Sequence, residues 1–140
     1  MTITYEELYS AVVTILVLLL FVFMGGMVGR MRGRHSVAAP ATTGHPEFDR
    51  AFRVHGNTLE QMMLFLPLLW LATLLYRDIA WLPALFGIIF LIGRIIYMQR
   101  YMADPKSRGL GIMIGMLANV GLLIVALVGL VQTWTVLSAT

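Results

Sequence analysis

DRAFRVHGNTLEQ, residues 49–61, runs without a loop-breaking residue into the apolar tract that begins at Met62, so both parts read as one helix. At about 100° per residue, Arg53, Asn57 and Glu60 fall within an arc of roughly 60° on one face, while His55 points roughly 200° away from Arg53. An arginine, an amide and a carboxylate on one stripe at the mouth of an apolar helix are expensive to keep there. Polar residues so placed usually serve a ligand, and the rest of the chain is read around them.

Of the 140 residues, 59% are hydrophobic and only 12% charged, against roughly 45–50% and 25% in soluble domains. This composition predicts a single membrane domain, residues 1–140. The absence of cysteine excludes disulfides, thiolate ligands and a cysteine nucleophile. His35, His45 and His55 stand too far apart for a metal pair on one helix, so no metal site is expected. The net charge of +3 needs no nucleic acid to explain it, because the basic residues sit where topology would put them.

Four spans are expected, at about 6–29, 47–76, 79–102 and 107–136, since crossing a bilayer takes about 20 apolar residues. Glu6 and Glu7 replace the basic start of a signal peptide, which argues for a retained first span. Arg30 to Pro46 reads as a connecting loop. Pro67 should kink the second span, and Pro83 suits the first turn of the third. Arg94, Tyr97 and Tyr101, three and four residues apart, share one face of the third span. Arg108 opens a fourth span that carries no further charge, and its glycines suggest close helix contact. Arg30, Arg32, Arg34, Arg50 and Arg53 flank the first connection; Arg94, Arg100, Lys106 and Arg108 flank the third. Both connections should therefore be cytoplasmic, with the termini outside.

This topology brings the stripe of the second helix, the face of the third and Arg108 to one membrane depth. Arg53 can grip a carboxylate with a two-pronged hydrogen bond. Asn57 can fix a peptide group, and Glu60 is a partner for an ammonium. Arg94 offers a second carboxylate site, and Tyr97 and Tyr101 supply donors or flat walls. A ligand with two carboxylates, an ammonium and peptide groups satisfies the set, and glutathione has these groups. Plainer readings exist for each member. Arg30, Arg32 and Arg34 serve as topology determinants, Arg53 and Glu60 pair with each other, the tyrosines form an interfacial belt, and His55 packs.

The run TTGHPEFDRAFRVHGNTLEQ, residues 42–61, resembles the loop and second-helix signature of the MAPEG superfamily, membrane-associated proteins of eicosanoid and glutathione metabolism. Its pattern R-x-H/Q/A-x-N-x-x-E is matched by Arg53, His55, Asn57 and Glu60. The third-helix pattern R-x-x-Y-x-x-x-Y is matched by Arg94, Tyr97 and Tyr101, and the arginine that opens the family's fourth helix by Arg108. The resemblance covers nearly the whole chain and is most like bacterial members. It implies an all-α, four-helix integral membrane protomer assembled as a homotrimer, with glutathione bound between neighbouring subunits and His55 reaching the adjacent site. Arg32 is the best match to a glutathione-contacting arginine, with Arg30 and Arg34 as competitors. Gln61 stands where the leukotriene-forming branch has a tyrosine.

The activity implied is attack by the glutathione thiolate on an apolar electrophile or a lipid hydroperoxide, with membrane lipid as surroundings. Arg108 would stabilise the thiolate and Tyr97 would be the second sulfur partner; Arg32, Arg53, His55, Asn57, Glu60, Gln61, Arg94, Tyr97 and Tyr101 would bind glutathione. Two rivals remain: a lipid-binding or scaffold protein of the same fold, and a small transporter. The first has no reason to keep the polar set together, and the second lacks a polar path through the fourth span.

Overall fold

In the computed structural model, which describes residues 3–139, four long helices are joined by three short connections. Met1, Thr2 and Thr140 of the expected domain lie outside the described residues. Helix α1 (Tyr5–Arg34) opens on a capping box: the Thr4 side chain accepts from the Glu7 backbone N–H, and the Glu7 carboxylate accepts from the Thr4 N–H at 2.9 Å. Two orphan donors are thereby satisfied. Helix α2 (Pro46–Leu75) starts with proline in its first turn and His45 as its cap, and continues unbroken through Pro67. Helix α3 spans Leu82–Ala103, and a 3-10 turn, Pro105–Arg108, leads into α4 (Gly109–Ser138). All four are long and apolar enough to cross a membrane.

The helix ends depart from expectation in three places. The segment from Arg30 to Arg34, expected in the first connection, belongs to α1; arginine and methionine are good helix formers, and the turn comes only at His35 and Ser36, where φ reaches 52°. Helix α3 begins at Leu82 rather than 79, because Pro83 belongs in a first turn. Arg108 closes the 3-10 turn and stands at the cap of α4 instead of inside it.

Two apolar clusters hold the bundle. One joins Val13, Val17, Phe65, Leu69, Phe90 and Leu122, with the Phe65 and Phe90 rings stacked at 3.9 Å. The other gathers Met24, Met27, Phe48, Val54 and Tyr97 toward the opposite end. A buried Ser10–Thr73 hydrogen bond of 2.7 Å ties α1 to α2. Large apolar side chains such as Leu19, Val22, Phe23, Leu117 and Val131 remain exposed, a surface suited to lipid.

Helices α3 and α4 approach most closely where glycine allows it. A Cβ on Gly111 would lie 2.5 Å from the Tyr97 backbone nitrogen, and one on Gly93 would lie 2.9 Å from that of Gly115. These two contacts set Arg94 and Tyr97 under α4. At the same end, Arg50 donates to the carbonyls of Met102 and Ala103 at 3.0 and 3.3 Å, satisfying the unpaired end of α3.

Candidate glutathione site at one end of the bundle

Arg94 is the centre of the polar constellation. Only 2% of it is exposed, and its guanidinium donates to the Asn57 Oδ1 at 3.1 Å and the Thr58 Oγ1 at 2.8 Å. It lies 4.1 Å from the centre of the Tyr97 ring. Thr58 is free to accept because its own hydroxyl donates to the Val54 carbonyl. Among the described residues Arg94 has no carboxylate partner, and its Nε makes no hydrogen bond. A buried cation with neutral partners alone is costly, by several kcal/mol for the desolvated ion.

From Arg94 the contacts run both ways. The Asn57 Nδ2 donates to the Glu60 carboxylate at 3.4 Å. On the other side Tyr97 meets Tyr101 at 5.4 Å between ring centres, and the Arg108 guanidinium lies 6.0 Å from the Tyr101 ring. Glu60, Asn57, Arg94, Tyr97, Tyr101 and Arg108 thus form one continuous ladder across α2, α3 and the start of α4. Gln61 and Arg94 line a cavity of about 360 Å³ that adjoins it. Arg53 and Glu60 are both exposed and do not pair with each other. Seven residues separate them, so they share a face about 10 Å apart along the axis.

Other candidates lie elsewhere. The His55 ring stacks on Phe21 of α1 at 4.3 Å, with Gly25 beside it. The ring is only half-buried, so its expected reach to the adjacent subunit's site belongs with the proposed trimer. Arg32 lies over the Phe48 ring at 4.6 Å and donates to the Val37 carbonyl at 3.2 Å, which occupies it with the first connection. Arg30 is exposed. Tyr97 is 2% exposed, with its ring against the Arg94 guanidinium.

The histidine spacing misled in one respect. The first connection folds back so that His35 and His45 stack at 3.5 Å, and with Glu47 they place three donor atoms within 4.8 Å of one another. Each is engaged as it stands. His35 Nε2 bonds Glu47 at 2.8 Å, the His45 Nδ1 accepts from the Glu47 N–H, and Arg34 approaches the same carboxylate at 3.9 Å. The cluster pins the connection to the start of α2.

Three functional neighbours escaped the sequence reading. Thr58 and Arg50 lie beside the quoted stripe but act across helices. Asn119, buried in α4 at 5% exposure, is an uncharged polar group that a count of charges along the fourth span passes over. An amide in the middle of a glycine-rich apolar span was the available signal.

Comparison with known proteins shows the family. The MAPEG family profile matches residues 10–128. An uncharacterized protein of Synechocystis sp. is 39% identical over 125 residues, covering 89% of this chain and 90% of that one. Leukotriene C4 synthase of Cavia porcellus is 37% identical over 103 residues, covering 74% and 67%. Human microsomal glutathione S-transferase 2 is 34% identical over 98 residues, covering 69% and 65%. With four apolar helices and a match that extends over most of its length, the chain belongs to the MAPEG family.

Proposed function

We propose that the protein is a membrane-bound glutathione transferase that converts bound glutathione to its thiolate for attack on apolar electrophiles or lipid hydroperoxides. The observation that carries this reading is Arg94, a buried guanidinium with neutral partners and one N–H unmet. A carboxylate ligand supplies the missing counter-ion. Arg53 and Glu60, of opposite sign on one face and without an ion pair among the described residues, add a site for a second carboxylate and one for an ammonium, with Asn57 between them for a peptide group. Glutathione carries all of these, and the name of the related microsomal glutathione S-transferase 2 supports the choice.

A free thiol has a pKa of about 8.5 and is mostly protonated at neutral pH. Lowering it by two units takes about 2.7 kcal/mol, within reach of one guanidinium beside the sulfur. Arg108, at the exposed end of the ladder, takes that role, with Tyr97 second. The thiolate forms a C–S bond as the electrophile's leaving group departs. With a hydroperoxide it attacks oxygen and breaks the O–O bond; the alkoxide takes a proton, and a second glutathione converts the sulfenic acid to disulfide and water. The co-substrate enters the adjoining cavity from the lipid. The protein works as a homotrimer in the bacterial inner membrane, with the first and third connections cytoplasmic and glutathione reaching the site from that side.

The test is calorimetric titration of the detergent-solubilised protein with glutathione, followed by turnover with a chromogenic aryl halide. Micromolar to millimolar binding with turnover is expected. Failure to bind glutathione overturns the proposal, and binding without turnover on any electrophile or hydroperoxide would favour a non-catalytic lipid-binding or scaffold role.

A further inference from the structure

The cavity beside Arg94 lies between α2, α3 and α4, with Asn57, Gln61 and Arg94 at one end and Leu68, Asn119 and Leu123 toward the other. Asn57 and Leu68 are eleven residues apart on α2, as are Ile112 and Leu123 on α4. The slot therefore extends roughly 16 Å along the bundle axis. Gly111 abuts Tyr97 and Gly93 abuts Gly115, which puts Asn119 one helical turn deeper than the level of Arg94.

Asn119 sits on the buried face of α4, four residues after Gly115 and three before Leu122. It is 5% exposed, and its Oδ1 has no hydrogen-bond partner. An amide so buried is destabilising unless something satisfies it, and the apolar side chains around it can do nothing for it. A leucine or methionine would fill the space at no such cost. The group that completes Asn119 must arrive through the cavity that it lines.

We infer that Asn119 is a polar anchor for the tail of the co-substrate, selecting apolar chains that carry a hydroxyl remote from the reacting end. The inference rests on the reading of this slot as the place of the apolar co-substrate. A single hydroxyl suits the amide on both sides, since its O–H donates to the Oδ1 while its oxygen accepts from the Nδ2. A plain alkyl chain leaves both atoms unmet. Asn119 is a positioning and specificity residue, far from the sulfur and without a part in the bond-making step.

The chain has two asparagines, Asn57 and Asn119, so protein labelled only at asparagine with a nitrogen isotope shows two side-chain amide pairs by nuclear magnetic resonance. Asn119→Leu assigns them by removing one. Titration with decanol should shift the Asn119 pair saturably, and decane at the same loading should leave it in place. The inference is overturned if decanol does not move that pair, or if decane moves it as much. Glutathione is titrated separately: whether it moves the Asn57 pair bears on the proposed function alone. A kinetic arm compares dodecenal with its terminally hydroxylated form, each rate divided by that with free glutathione. The parent should favour the hydroxylated form, and Asn119→Leu should lower that preference by about fivefold to tenfold. A merely structural defect lowers both rates together, so an unchanged ratio also overturns the inference.

Discussion

Replacing Arg94 by methionine separates binding from folding. The guanidinium donates two hydrogen bonds, at 2.8 and 3.1 Å, and stacks on Tyr97 at 4.1 Å. Hydrogen bonds from a charged donor contribute about 1.5–3 kcal/mol each, and a desolvated cation–π contact about 2. Against these stands the several kcal/mol lost when a cation leaves water without a counter-ion. The two sides nearly cancel, and methionine refills most of the volume with a flexible apolar chain. Stability should therefore change by no more than about 2 kcal/mol. Glutathione affinity should behave differently, because the ligand's carboxylate loses its only buried cation. A loss of about 2–4 kcal/mol corresponds to roughly 30-fold to 1000-fold in Kd. Arg94→Lys keeps the charge without the planar fork and should fall between. Calorimetric titration gives the affinity, and thermal unfolding in the same detergent gives the stability. If Arg94→Met binds glutathione within about threefold of the parent, Arg94 belongs to the fold and the counter-ion argument is wrong.

Glu60→Gln should weaken glutathione by about 1.5–3 kcal/mol through loss of the ammonium's partner, with the unfolding midpoint unmoved because Glu60 is exposed; equal affinity would show the carboxylate to be idle. Arg108→Ala should leave affinity within a few-fold while the ultraviolet absorbance of the bound thiolate disappears at neutral pH and returns as pH rises. Turnover should fall with it, and Arg108→Lys should restore part of both; retained absorbance and turnover would pass the role to Tyr97. Gly111→Ala drives a Cβ to 2.5 Å from the Tyr97 nitrogen and should cost about 1–3 kcal/mol by overpacking, read as a lower unfolding midpoint. In mild detergent the particle should have the mass of three chains; a stable monomer that binds glutathione would refute the trimer.

The sequence carried what a single helix can carry. Face arithmetic on α2 put Arg53, Asn57 and Glu60 on one stripe, and the spacing of Arg94, Tyr97 and Tyr101 put those three on one face of α3. Hydropathy gave the four helices, because a bilayer-length apolar run leaves little choice. It was silent where partners come from different helices. Nothing local says that Arg94 reaches Asn57, 37 positions away, or that Arg50 closes the end of α3. His35 and His45 looked distant because ten residues separate them, yet a connection that turns at Ser36 returns the chain on itself. His55 lay on the opposite face from Arg53, and that face meets α1 of the same chain. These outcomes depend on how the helices and the first connection pack together, and only the approach of α3 to α4 is marked in the sequence by glycines.

The two arginines of the ladder have different surroundings, which suit the two tasks proposed for them. Arg94 is held on two hydrogen bonds and an aromatic face inside the bundle, so its donors are fixed before a ligand arrives, and little ordering is lost on binding. Arg108 stands at the exposed start of α4, 6.0 Å from the nearest ring, with no ion-pair partner among the described residues. An exposed guanidinium acts weakly through water, and strongly once solvent is displaced from around it. Glutathione seated on Arg94, Asn57 and Glu60 would bring both its sulfur and that displacement to Arg108. On this account the thiol is activated only in the complex: the pKa shift belongs to bound glutathione, and binding residues contribute to catalysis by bringing the sulfur within reach of Arg108.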